Sequence, residues 1–174
     1  QEYPGKRALV WIDDNDEEEI FTFDDISRES KRAAYRLVSK GIKKGDTVML
    51  MLRRRYEWWI LLPALHRIGA IVIPATDQLL QSAIEYRTNA ADVKMIFCYD
   101  NPLVQEEIEK ALPKSQSVKM LVTVGKSREG WINFHEEYER MPAEFPRPVG
   151  DAATHNDDPM LIYFTSGTSG YPKM

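Results

Sequence analysis

Toward the end of the sequence, Thr165-Ser166-Gly167-Thr168-Ser169-Gly170-Tyr171-Pro172-Lys173 gathers four aliphatic hydroxyls, two glycines and a lysine behind an apolar run. Glycines let backbone N–H groups turn toward an anion and let a bulky anion come close to the chain. Hydroxyls donate to phosphate oxygens, and lysine adds a compact positive charge. Together these are the groups that a polyphosphate cradle needs. A Ser/Gly-rich surface turn is the bland alternative; it leaves the Gly170-Tyr171-Pro172-Lys173 ending unexplained. The stretch is not a P-loop of the Walker type, which puts lysine directly after glycine and Ser or Thr directly after lysine. Here Tyr171 and Pro172 intervene, Met174 follows, and Pro172 is unsuited to a helix interior. Gly125-Lys126-Ser127 imitates the end of a Walker loop, but the position that needs the first glycine holds Met120. That tripeptide reads as a strand end and polar turn.

Other residues that could do chemistry are scattered. Arg53-Arg54-Arg55 follows an apolar strand candidate, at the end where α/β sheets hold ligands; a solvated loop is the favoured reading. His66 falls within a helix, His135 near a helix start and His155 in a connector, each without an evident partner, so none is given an acid–base or metal role. The acidic run Asp13 to Glu19 reads as a solvated hairpin turn; it lacks the glycine of a calcium-loop template, and no metal ligands are assigned. Cys98, the single cysteine, lies in Met95-Ile96-Phe97-Cys98 and reads as a small buried hydrophobe. It excludes an internal disulfide and points to a reducing compartment, the cytoplasm by default.

The elements that must position these residues alternate. Ala8 to Ile12 and Ile20 to Phe23 are strand candidates. A helix follows, with Asp24 and Asp25 near its start, Ile26, Ala33, Ala34, Leu37 and Val38 on one face, and Gly41 at its end. Thr47 to Leu52 is a nearly unbroken apolar run, the mark of a strand buried on both faces. Then come a helix over Glu57 to Ile68, a strand over Ile71 to Ile73 stopped by Pro74, a helix over Ser82 to Ala90 and a strand over Lys94 to Tyr99. A helix over Leu103 to Leu112 and a strand over Met120 to Val124 complete the series. This alternation predicts an α/β fold, a mostly parallel sheet with helices on both faces. Residues 1–140 form the expected N-terminal α/β subdomain, and 141–158 a Pro-rich connector. Residues 159–174 are expected to form a buried strand, Met160 to Phe164, leading into the Thr165 to Lys173 loop.

The chain has 174 residues and a net charge of −4, which argues against a binder that tracks nucleic-acid phosphates. Its longest apolar stretch, near Ile60 to Leu65, is too short to span a bilayer.

Tyr163 to Lys173 resembles the signature loop of the adenylate-forming (AMP-binding) ligase superfamily: an aromatic, Thr-Ser-Gly-Thr, Thr or Ser, Gly, any residue, Pro-Lys. Every fixed position is met. Phe21-Thr22-Phe23-Asp24-Asp25, Gly45-Asp46-Thr47-Val48, Glu57-Trp58-Trp59 and Arg67-Ile68-Gly69-Ala70 with Pro74 resemble further family segments, so the likeness covers almost the whole chain. Pro74-Ala75-Thr76-Asp77-Gln78-Leu79, Glu85-Tyr86-Arg87 and Gly130-Trp131-Ile132-Asn133-Phe134 are similar to medium-chain acyl-CoA synthetases, although relatives usually carry Gly at Ala75.

The resemblance implies an N-terminal part of an enzyme that activates a carboxylic acid, a medium-chain fatty acid on the finer likeness. Mg·ATP and the acid give acyl-AMP and pyrophosphate, and CoA then takes the acyl group. It implies Thr165, Ser166, Thr168 and Lys173 on the ATP phosphates, Gly167 and Gly170 giving backbone freedom, Ser169, Tyr171 and Pro172 completing the loop, and Gln78 touching CoA. In the family the adenine and acyl pockets, the ribose-binding acidic residue, the hinge and the mobile domain with the catalytic lysine come later than this loop. No catalytic residue is therefore expected within 1–174, and the polypeptide alone is expected to be unable to make acyl-AMP. A peptide-synthetase adenylation domain, a luciferase-like enzyme, a non-enzymatic nucleotide-binding module and a structural domain with a linker tail are the alternatives.

Overall fold

A computed structural model describes residues 3–136, 138–165 and 173. Among the described residues seven strands and four helices follow one another, with three short 3-10 turns. β1 (Arg7–Ile12) and β2 (Glu18–Thr22) form an antiparallel hairpin. Its turn is built by Asp13, whose carboxylate accepts from the backbone N–H of Asn15 and of Glu17, both at 2.8 Å. The acidic run is thus a self-satisfied turn, with Glu18 and Glu19 already in β2.

α1 (Phe23–Ser39) begins where Thr22 and Asp25 cap each other: Thr22 Oγ1 accepts from Asp25 N at 3.1 Å, and Asp25 Oδ2 accepts from Thr22 N at 2.9 Å. The Thr22 hydroxyl and backbone, then Arg28, hold the Asp25 carboxyl down at about 2. Thr22→Ala is expected to cost about 1 kcal/mol at neutral pH. The depressed carboxyl contributes stability above the ordinary Asp value of about 3.9, and that contribution is lost as pH falls through its folded value. Urea melts of the two proteins should therefore converge in acid; a gap that stays constant down to pH of about 2 would refute the coupling. At the other end Gly41 takes φ +87°, letting Ile42 N reach Leu37 O at 3.1 Å. Ala33, Ala34 and Leu37 are buried as expected, but Val38 is 46% exposed. It stands about 100° around the helix from Leu37, at the edge of the apolar stripe.

β3 (Thr47–Met51), β4 (Ile71–Pro74), β5 (Val93–Tyr99), β6 (Met120–Val124) and β7 (Ile132–Asn133) make one sheet in the order β4-β3-β5-β6-β7, every pair parallel. Between them run α2 (Glu57–Ile68), α3 (Gln81–Ala90) and α4 (Pro102–Ala111). The period of two along β3 divides the core. Val48, Leu50 and Leu52 pack with α1 and α2, while Met49 and Met51 pack with α3 and α4. Helices therefore cover both faces, as the alternation predicted, and every residue of β3 is buried. Cys98 is fully buried in the second layer, where burial pushes its thiol up to about 12.

Two features depart from the sequence reading. β7 pairs only two residues with β6, too few to show a periodicity. Met160 to Phe164 does not become a buried strand. It meets β4 through one parallel bridge, Leu161 to Val72, and Met160 and Tyr163 are 49% and 61% exposed. Burial on both faces needs a further layer over this edge, and no described residue supplies one. Among the described residues no helix is long and apolar enough to cross a membrane.

Candidate functional site

The strand order reverses direction at β3: the chain passes from β3 to β4 on one side, then crosses back to β5 on the other. Open α/β sheets bind ligands outside the carboxyl ends of the strands at such a switch point. Four segments converge on that end here: Arg53 to Arg55 after β3, Ala75 to Gln78 after β4, Tyr99 at the end of β5 with Asp100 and Asn101 after it, and the chain beyond Leu161. Because Leu161 pairs in parallel with Val72, the residues after it advance in the same direction as β4. The hydroxyl- and glycine-rich loop thus leaves from the same edge as the Gln78 turn.

The loop itself is closed at its base. Thr165 and Lys173 form an antiparallel bridge, with Thr165 N donating to Lys173 O at 2.9 Å and Thr165 Oγ1 to the same oxygen at 3.3 Å. Ser166, Gly167, Thr168, Ser169, Gly170, Tyr171 and Pro172 lie outside the described residues. Lys173 is exposed, and among the described residues its ammonium has no ion-pair partner. Phe164, one residue before the loop, is held from α3: the Arg87 guanidinium lies 5.2 Å from its ring centroid and Tyr86 meets it edge-on at 6.2 Å. Tyr86 and Arg87 therefore anchor the approach to the loop.

Gln78 is exposed in the turn after β4, its N–H donating to Thr76 Oγ1 at 3.3 Å. Its neighbour Asp77 laces three strand ends together. Tyr99 Oη donates to Asp77 Oδ2 at 2.9 Å, Asn101 Nδ2 donates to Tyr99 Oη at 3.1 Å, and Arg53 Nε lies 3.9 Å from the same carboxylate.

The arginine run divides. Arg53 and Arg54 are exposed, as a solvated loop requires, but Arg55 is not free. Its Nη2 and Nε donate to the two oxygens of Glu57, at 2.9 and 3.2 Å. Glu57 is fully buried, and His135 Nε2 lies 3.0 Å from its Oε1. Burial pushes the Glu57 carboxyl up, but hydrogen bonds from His135 and Arg55 outweigh it and hold the group below the ordinary range. His135 was read as partnerless; its partner stands 78 positions away, and no local pattern announces such a pair. The cluster is structural, since its carboxylate has no exposed surface.

The Gly125-Lys126-Ser127 turn is occupied by the protein's own anion. Asp100 Oδ2 accepts from Lys126 N at 3.1 Å, and a Cβ at Gly125 would stand 2.5 Å from the Asp100 carboxyl carbon. β7 follows it, not a helix, so it is not a Walker loop. Among the described residues no group of three or more His, Cys, Asp or Glu side chains is placed to hold a metal ion.

Comparison with known proteins gives the family and the fold. The chain is 39% identical over 174 residues to acyl-coenzyme A synthetase ACSM5, mitochondrial, of Rattus norvegicus and 34% identical over 172 residues to its Homo sapiens counterpart. Each alignment covers 98% of this chain, and the chain spans 29% of the length of either relative. The crystal structure of Brucella canis acyl-CoA synthetase matches over 97% of this chain and 30% of its own, with a TM-score of 0.80 at 26% identity. That of the anthranilate CoA ligase AuaEII in complex with anthranoyl-AMP matches over 97% of this chain and 31% of its own, with a TM-score of 0.85 at 22% identity, a likeness of fold. The family model described as AMP-binding enzyme matches residues 1–174, and the chain belongs to that family.

Proposed function

We propose that this chain supplies the ATP-phosphate loop of an acyl-CoA synthetase. The observation that carries the reading is the loop closed by the Thr165–Lys173 bridge at the carboxyl edge of a parallel sheet. In the proposed reaction a carboxylate oxygen of the acid attacks the α-phosphorus of Mg·ATP. The new O–P bond replaces the bond to the β-phosphate, and pyrophosphate leaves. The CoA sulfur then attacks the acyl carbon, the thioester forms, its proton is lost and AMP departs. Negative charge gathers on the leaving pyrophosphate, so preorganised donors and a fixed cation are what the first step needs. Thr165, Ser166, Thr168 and Lys173 fill that role, and Gly167 and Gly170 let the backbone of the loop, with Ser169, Tyr171 and Pro172, wrap the phosphates. Magnesium arrives with ATP as part of the substrate. Gln78, exposed on the same edge, contacts CoA.

On this reading residues 1–140 are a scaffold, 141–158 a connector and 159–174 the arm carrying the loop. The acid is a medium-chain fatty acid, a choice supported by the likeness at Pro74 to Leu79 and Glu85 to Arg87. The lone buried Cys98 suits a reducing compartment; the relatives above are named as mitochondrial, and the cytoplasmic expectation draws no support from them.

The test uses two proteins, the 174-residue chain and a version extended to the length of the relatives. The extended protein is expected to release pyrophosphate only when ATP and a fatty acid are both present, and to form the thioester only when CoA is added. The 174-residue chain is expected to release none. Pyrophosphate release that ignores the acid would sink the reading; acid-dependent release from the short chain would sink the assignment of the remaining groups to other sequence.

A further inference from the structure

The second half of α2 runs back toward the amino ends of the strands, ending at Ile68 just before β4 begins at Ile71. There the connector lies across it, and between the two is a groove of about 590 Å³, within the range of small-molecule sites. Pro63 and Arg67 line it from the helix, and Arg147, Pro148 and Thr154 line it from the connector. We propose that this groove binds a small amphiphilic anion, its acid group on the guanidiniums of Arg67 and Arg147 and its apolar body against Pro63 and Pro148.

Charge decides the class of ligand. No acidic side chain lines the groove, and neither Arg67 nor Arg147 makes an ion pair among the described residues. Arg67 Nη2 donates to Ser30 Oγ at 3.2 Å, but its Nε is buried without a hydrogen-bond partner among the described residues. Guanidinium donors left unspent at a buried site are unfavourable, and an arriving oxyanion satisfies them. Burial holds the imidazole of His66, another lining residue, below its ordinary range, so the positive charge comes from the two arginines. The negative end of the α2 dipole favours a cation at Arg67 by itself. It does not account for Arg147, which reaches the same groove from a distant segment. Both walls are held in place. Lys44 Nζ donates to Ala153 O at 2.6 Å and pairs with Asp158 at 2.8 Å, and Thr154 Oγ1 donates to His66 O at 3.3 Å, so the connector is fastened to the helix end that it covers. Pro63 stands inside α2, where a proline gives up a backbone hydrogen bond, and with Pro148 it supplies rigid apolar lining. The groove lies toward the other end of the strands from the Thr165–Lys173 bridge, and the proposal does not rest on the acyl-CoA synthetase reading.

Octanesulfonate is the probe, because it is an amphiphilic anion with no carboxylate to be activated. Isothermal titration of the 174-residue chain is expected to show one saturable site. Arg147→Ala should raise its dissociation constant about tenfold, the loss of one charge-assisted contact. Arg147→Lys should recover part of the loss, since it restores the charge without the planar fork. Arg147 is exposed, so far-UV circular dichroism of both variants should match the parent. Octanol and inorganic phosphate, which each keep half of the ligand, should both bind at least about tenfold more weakly than octanesulfonate. In the protein extended to the length of the relatives, Arg147→Ala should remove one octanesulfonate site and leave acid-dependent pyrophosphate release unchanged, so the groove and the reaction can fail independently. No saturable binding by either protein at millimolar octanesulfonate, or a dissociation constant unmoved in Arg147→Ala, overturns the proposal. Inorganic phosphate that binds as tightly as octanesulfonate overturns it as a site for amphiphiles. Binding by the short chain that the extended protein lacks overturns it too, because the groove is then a seat for the remaining sequence.

Discussion

Lys173→Ala in the extended protein is expected to lower acid-dependent pyrophosphate release by about 10²–10³-fold, the range for removing one preorganised group that meets developing charge. Lys173 is exposed, uncommitted to any carboxylate among the described residues, and fixed at the backbone by its bridge to Thr165. On the proposed reading its contribution grows as the bond to the leaving group breaks, so the loss should fall on kcat more than on KM. Lys173→Arg should recover only part of the rate, because a planar fork does not replace a compact point charge. The measurement is initial-rate pyrophosphate release at saturating ATP and acid. A Lys173→Ala enzyme within about twofold of the parent would remove the loop from the chemistry.

Glu57→Ala is expected to destabilise the fold by about 3 kcal/mol, the lower end for breaking a buried charge cluster by deleting one member. Glu57 is fully buried, accepts from Arg55 two positions before it and lies 3.0 Å from His135 Nε2, 78 positions further on. Its removal leaves the Arg55 guanidinium facing an empty site, but Arg55 is 28% exposed and can turn partly to water, which places the cost at the low end. The carboxyl is held below its ordinary value, so its contribution is complete above about pH 4.3 and is lost as pH falls through the depressed folded value. Urea unfolding at neutral pH should show the full difference from the parent, and the two curves should draw together in acid. A difference under about 1 kcal/mol at neutral pH would mean that the cluster relaxes without cost.

These two residues show what the sequence discloses and what it hides. The parallel sheet was legible because β3, β4, β5 and β6 are apolar runs separated by helices with recognisable stops: Gly41 after α1, Gly69 after α2, and Pro113 after α4. The hydroxyl- and glycine-rich stretch stood out because its residues are contiguous; of it the structure describes Thr165 and Lys173, which pair with each other. Glu57 was not legible. Its meaning depends on His135, and a pairing across so much chain leaves no spacing to count. Arg55 was misjudged for the same reason: three identical neighbours look alike in sequence, and only packing shows that one of them serves a buried carboxylate. Met160 to Phe164 was apolar enough to suggest burial, yet burial depends on what lies across from a segment, which its own residues do not encode.

The central place of β3 has a consequence for the protein's birth. Its neighbour on one side, β4, is made shortly after it, but β5 on the other side is finished only at Tyr99. A ribosome that has released less than this holds out a strand that is buried throughout in the folded protein, with one open edge, the kind of surface that recruits chaperones or seeds aggregation. Pausing of translation between Ile73 and Tyr99 would lengthen that vulnerable interval, and synonymous codon changes there should alter the yield of soluble protein more than the same changes after Val124.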